Sequence, residues 1–139
     1  MENLFVAVVK YDKIDENGKE KRVSEKYLID AVSFTEAEAR IYTEMEIMIS
    51  GEFVVHDISR AGINEVHTDF VGQNLYKIKV SFMSEDPKPK KSTHTSIINA
   101  DSVEEAGINI KEAMRDVLVD YVIESITDSK ILDYFPYNN

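Results

Sequence analysis

Along the chain, apolar positions alternate with polar ones, then recur three and four apart, then alternate again, and the cycle is written twice. In "LFVAVVKY" (4–11) Phe5, Ala7, Val9 and Tyr11 share one face at period two, as do Tyr76, Ile78, Val80 and Phe82 in "LYKIKVSF" (75–82). This is the pattern of a half-buried strand. A polar turn follows each. The first is "DKIDENGKEKR", where Asn17-Gly18 offers the positive φ of a hairpin turn; the second is "MSEDPKPKK", stiffened by Pro87 and Pro89. Return strands "KYLIDAV" and "TSIINAD" complete two hairpins.

The period then becomes helical. Phe34, Ala37, Ile41, Met45 and Met48 form one apolar stripe, and Val103, Ala106, Ile110, Met114 and Val117 form another. Ser33 with Glu36 and Ser102 with Glu105 read as capping boxes, in which the Ser oxygen takes the N3 amide and the Glu returns to the cap amide. Ser50-Gly51 reads as a C′ glycine stop, while the second copy runs on through "VLVDYV" without one. Third strands are expected at "FVVHDIS" (53–59) and "VIESIT" (122–127), each followed by a short extended piece, "INEVH" and "KILDYF".

Aligning "LIDAVSFTEAEARI" (28–41) on "IINADSVEEAGINI" (97–110) places Ala31 on Ala100, Ser33 on Ser102, Glu36 on Glu105 and Ile41 on Ile110. A hairpin and one helix cannot bury their apolar faces alone, whereas two copies can. The expected fold is α+β: two pseudo-symmetric ββαβ repeats, 1–67 and 75–135, joined by a linker at 68–74. They would form a mainly antiparallel sheet with two helices on one face of a single domain.

Composition narrows the function. With 139 residues, 43% hydrophobic and 30% charged, the chain is globular in profile. It has no cysteine, which excludes disulfides and thiolate chemistry and fits a reducing compartment. The N-terminus carries an acid at Glu2 and a short apolar run unlike a signal peptide, and no segment approaches the roughly 18 apolar residues of a membrane span. A cytoplasmic location is therefore expected. A net charge of −10 argues against direct nucleic-acid binding. That charge is uneven: residues 1–26 are neutral, 27–74 carry −7, 75–91 carry +3 and 92–139 carry −6.

The segments "YLIDAVSFTEAEARI", "ISGEFVVHDISRA" and "KILDYFP" also carry a resemblance. Over nearly the whole chain it resembles a small domain family of unknown function found in gut Bacteroidetes and in their phages and mobile elements. The resemblance implies a single compact domain in a phage or mobile-element setting, and brings no established activity or site residue.

Catalytic signatures are missing from the sequence. There is no G-x-S-x-G, Walker loop or G-x-G-x-x-G. His56, His67 and His94 have neither helical i, i+4 spacing with a carboxylate nor a cysteine to complete a zinc set, so no metal or cofactor is expected, and His56 reads as a satisfied structural histidine. Glu104 and Glu105 are accounted for by the helix N-terminus.

Basic residues carry the better signal. Lys19, Lys21, Arg22 and Lys26 belong to the first hairpin and Lys88, Lys90 and Lys91 to the second, and against an acidic remainder they form a candidate anion site. A second signal is Leu4, Val6 and Val8, an apolar row where the second copy has Lys77, Lys79 and Ser81. Such a row points to an interface, with a second copy or another protein as partner unless the terminal "YFPYN" segment covers it. The function expected is a non-catalytic, self-associating binding module that sequesters a small anionic, nucleotide-like ligand or a host protein. Two alternatives remain: an acidic nucleic-acid mimic that inhibits a host protein, and a small hydrolase or nuclease.

Overall fold

The structure, a computed structural model, describes residues 3–85 and 87–137; Glu2 and the last residue of the 134–138 tail lie outside them. The elements run β1 (Leu4–Ile14), β2 (Glu20–Asp30), α1 (Phe34–Met48), β3 (Phe53–Arg60), β4 (Glu65–His67), β5 (Asn74–Ser84), β6 (Lys90–Ala100), α2 (Val103–Ala113), β7 (Tyr121–Asp128) and β8 (Ile131–Phe135). The class is α+β, with mainly antiparallel pairing.

The strands divide into two four-stranded sheets rather than joining one: β3-β1-β2-β8 and β4-β6-β5-β7. Within each, the hairpin and third strand come from one half of the sequence, and the fourth comes from the other. β4 lies parallel to β6, pairing Glu65–His67 with Ser96–Ile98, and β8 lies parallel to β2, pairing with Lys26–Ile29. A parallel neighbour in the same sheet needs a crossover of a dozen or more residues. The links after β3 and β7 are far shorter, so each piece passes to the other sheet. The chain accordingly falls into two compact units, one built on Ile63–Lys130, the other on the chain up to Gly62 and from Ile131 onward.

Each unit has its own core. Phe5, Ala7, Val9, Tyr27 and Ile29 meet Ala37, Ile41 and Met45 of α1, and Tyr76, Ile78, Val80 and Ile98 meet Ala106 and Ile110 of α2. The middle of each expected stripe is buried and its ends are not, since Phe34, Met48 and Val103 are exposed. Burying one such aliphatic side chain contributes roughly 1.5–3 kcal/mol.

Both helices start at the expected caps: Ser33 Oγ accepts from Glu36 N and Ser102 Oγ from Glu105 N, each at 3.1 Å. The Glu36 carboxylate returns to the amide of Val32, one residue before the cap. The helix ends differ from expectation. Gly51 has no positive φ; α1 leaves through Ile49, already extended toward β3. α2 stops at Ala113 with Met114 as cap, so Val117 lies in a loop and not on a helical stripe.

Both third strands carry a bulge. The β1–β3 register shifts between Val8 and Val9 and skips His56, and the β5–β7 register shifts between Lys79 and Val80 and skips Glu124. Beyond Tyr11↔Phe53, and before β8 begins at Lys26, the first hairpin has no third strand. Residues 12–22 therefore project as a two-stranded, solvent-exposed arm. The second hairpin does likewise beyond Phe82↔Tyr121. Among the described residues, no helix is long and apolar enough to cross a membrane.

Candidate anion-binding site

The first arm is set by its turn. Asp15 Oδ1 accepts from Asn17 N and Lys19 N at 2.9 Å, and Gly18 sits at φ +79°, where a side chain would be strained. Asp15 N also donates to Lys19 O. This closure fixes the register Ile14↔Glu20, Lys13↔Lys21, Asp12↔Arg22 and Tyr11↔Val23.

Directly opposed residues share a face, so Lys13 and Lys21 stand side by side. Like charges in that arrangement repel. Neither has an ion-pair partner among the described residues. Together with Ile14, Val23 and the turn they line a cleft of about 420 Å³. Asp15 and Glu16 of the turn also line it, so the two ammonium groups, beside the apolar side chains of Ile14 and Val23, make a candidate site for an anion whose remaining body is apolar or planar.

The other expected lysines and arginine are placed differently. Arg22 is tied to Asp12 at 3.5 Å, an exposed pair worth about 0–1 kcal/mol. Lys19 flanks the turn, and Lys26 sits level with Ile131 at the start of β8. In the second arm Lys88 lies in the loop, Lys90 starts β6 and Lys91 stands opposite Met83. Lys91 is neutralised by Glu124 at 3.2 Å. The Ser81 hydroxyl, and after it Lys91, hold the Glu124 carboxyl below the usual carboxylate range. Ser81 Oγ is buried beside it and makes no hydrogen bond of ordinary geometry among the described residues. Among the described residues, the first arm thus leaves a juxtaposed lysine pair without an ion pair, while Lys91 of the second arm is paired.

Lys13 is the site residue the sequence reading missed. It sits on the outgoing strand, apart from the Lys-rich return strand. The signal was available: a turn centred on Asn17-Gly18 places 13 opposite 21.

Leu4 is 1% exposed, buried within the chain itself, whereas Val6 and Val8 are half-buried. The tail does not lie across the row. β8 extends the sheet beside β2, with Tyr134 level with Leu28 and Phe135 stacked on Tyr27 at 5.7 Å. Below that stack, Tyr27 donates to Glu25 at 3.1 Å, and burial followed by the Glu25 charge raises its phenol pKa; burial and Glu25 raise that of Tyr11 as well.

The histidines are dispersed. His56, expected to be a satisfied structural residue, is exposed at the β3 bulge, His67 contacts Glu65 at 3.1 Å, and His94 meets the edge of Phe82. Among the described residues, no group of three His, Cys, Asp or Glu is arranged to hold a metal ion.

The fold defines an α+β protein of two four-stranded sheets, each carrying one helix and one projecting hairpin arm. Residues 3–137 match the family described as "Domain of unknown function (DUF4494)", and the chain belongs to it. Comparison with curated proteins and with solved structures finds no match.

Proposed function

We propose that this protein is a non-catalytic binding module that holds a small, phosphate-bearing, nucleotide-like ligand on its first hairpin arm. The observation that carries this reading is the cross-strand couple Lys13–Lys21, without an ion pair among the described residues, lining a cleft with Ile14 and Val23. The ligand is small because an extended polyanion would meet the repulsion of a −10 chain. A cytoplasmic setting fits the lack of cysteine. The phage or mobile-element context of gut Bacteroidetes implied by the resemblance makes sequestration of a host nucleotide signal the concrete version.

Titration calorimetry with pyrophosphate and with linear and cyclic nucleotides tests it. Binding should weaken about tenfold or more in a Lys13→Ala, Lys21→Ala double variant and fall as salt screens the exposed ammonium groups. A ligand whose affinity ignores both changes would place the site elsewhere.

A further inference from the structure

The second unit carries an apolar feature that its own fold does not use. After α2 the chain reads Asp116-Val117-Leu118-Val119-Asp120 and enters β7 at Tyr121. Leu118 is 97% exposed, and Val117, Val119 and Val122 beside it are exposed as well. One exposed leucine means little, but four apolar side chains within six residues make a patch of the kind that marks an interface. The loop between α1 and β3 shows that the connection does not require them: where the second half has Leu118, Val119 and Asp120, the first has Ser50, Gly51 and Glu52. The apolar residues are therefore an addition to the loop and not a requirement of the turn.

Acids bracket this knob. Asp116 is exposed and, among the described residues, is paired only with Arg115 at 4.0 Å, and Asp120 is exposed. The Lys13–Lys21 cleft has the complementary character, lined by the apolar Ile14 and Val23 and by two lysines that have no ion pair among the described residues. Of the two acids in its lining, Asp15 is committed to the turn amides and Glu16 stands in the turn itself, whereas the two lysines face each other across the strands. About 420 Å³ is ample for a leucine side chain with its two flanking residues.

We propose that the Asp116–Asp120 loop of one copy of this chain docks in the Lys13–Lys21 cleft of a second copy, Leu118 packing on Ile14 and Val23 and the two aspartates pairing with the two lysines. This rests on the anion-site reading and names a macromolecular occupant for the same cleft. The contact is head-to-tail, since knob and socket are different surfaces. A small anion and the loop then compete for the same lysines, so ligand binding and self-association oppose each other by equal factors.

Sedimentation velocity on the full chain, with pyrophosphate calorimetry in parallel, tests this. The wild type should self-associate, and Leu118→Asp, Asp120→Lys and Lys21→Glu should each weaken association about tenfold or more. Mixing the Asp120→Lys and Lys21→Glu chains should restore it, because the basic loop then meets an acidic cleft. Pyrophosphate should dissociate the wild-type assembly. Leu118 is almost wholly exposed, so its replacement leaves the fold intact and should leave pyrophosphate affinity unchanged or improved. A monomeric wild type, an association indifferent to Leu118→Asp, or a mixture that fails to re-associate would overturn the docking. Pyrophosphate binding that remained Lys21-dependent in those cases would leave the anion site standing. Loss of Lys21-dependent pyrophosphate binding alongside intact knob-and-socket association would instead remove the small-ligand reading.

Discussion

In the first sheet the incoming strand is held by a cation, and in the second by an amide. Arg40 on α1 donates to the carbonyl of Asp30 and to that of Pro136 just past β8, and its guanidinium lies 5.8 Å from the centre of the Tyr137 ring. At the corresponding place in the second sheet, Asn109 on α2 donates to the carbonyl of Asn99 at 3.0 Å. The Asn99 side chain then holds the segment after β4: it accepts from Phe70 N at 3.2 Å and donates to the carbonyls of Phe70 and Gly72. Asp101 adds a bond from Gln73 N. The same task is thus met by a half-exposed charge in one unit and by a buried amide in the other. The amide clamp is the costlier one to lose, because Asn99 is itself buried and its removal leaves three half-buried backbone groups short of a partner.

The amide clamp also draws the backbone of residue 72 against β6. A Cβ at Gly72, which sits at φ +154°, would lie 2.3–2.6 Å from backbone atoms of Ala100. Gly72→Ala should therefore produce the largest effect of these changes, a loss of about 3 kcal/mol or more, measured by urea unfolding. The first sheet has no equivalent close approach among the glycines: a Cβ at Gly18, Gly51 or Gly62 meets nothing within 4 Å. A near-neutral Gly72→Ala would show that the 68–73 segment is not strapped down as described.

The clamps come next in size. Asn99→Ala should cost about 1–3 kcal/mol, since it orphans the amide and carbonyl of Phe70 and the carbonyl of Gly72 in a site where Asn99 is only 8% exposed. Arg40→Ala should cost less, about 1 kcal/mol, because water can replace a partly exposed cation. Hydrogen exchange would localise each loss, to β8 for Arg40 and to the segment after β4 for Asn99. An Arg40 effect larger than that of Asn99 would reverse the comparison.

The caps are where the two units should not differ. Ser33→Ala and Ser102→Ala each remove one 3.1 Å bond to the amide of the third helical residue, and each should cost about 0.5–2 kcal/mol. Denaturant melts showing one neutral and the other severe would break the equivalence.

The elements were legible in the sequence because local rules dictate them. Period two gave the hairpins, period 3.6 the helices, and Ser-x-x-Glu their starting points. The pairing of β4 and β8 was not legible. Three residues of "EVH" and five of "ILDYF" carry no mark of which sheet they will join, and that choice depends on the length of the preceding links. The end of α2 was misread for a related reason: Met114 and Val117 continue a helical spacing that the chain abandons after Ala113. At the candidate site, the basic character of the hairpins could be read, but which charges remain free could not. Lys91 meets Glu124 only because β7 lies beside β5, and Arg22 meets Asp12 only through the hairpin register.

That difference between the arms gives the most direct test of the central claim, that Lys13 and Lys21 hold an anion while the second arm's lysines do not. Pyrophosphate calorimetry on Lys21→Ala and Lys91→Ala, side by side with the wild type, separates the two arms. The account predicts a loss of about tenfold or more for Lys21→Ala and little change for Lys91→Ala, whose charge Glu124 already compensates. Equal losses in both, or a loss confined to Lys91→Ala, would contradict it.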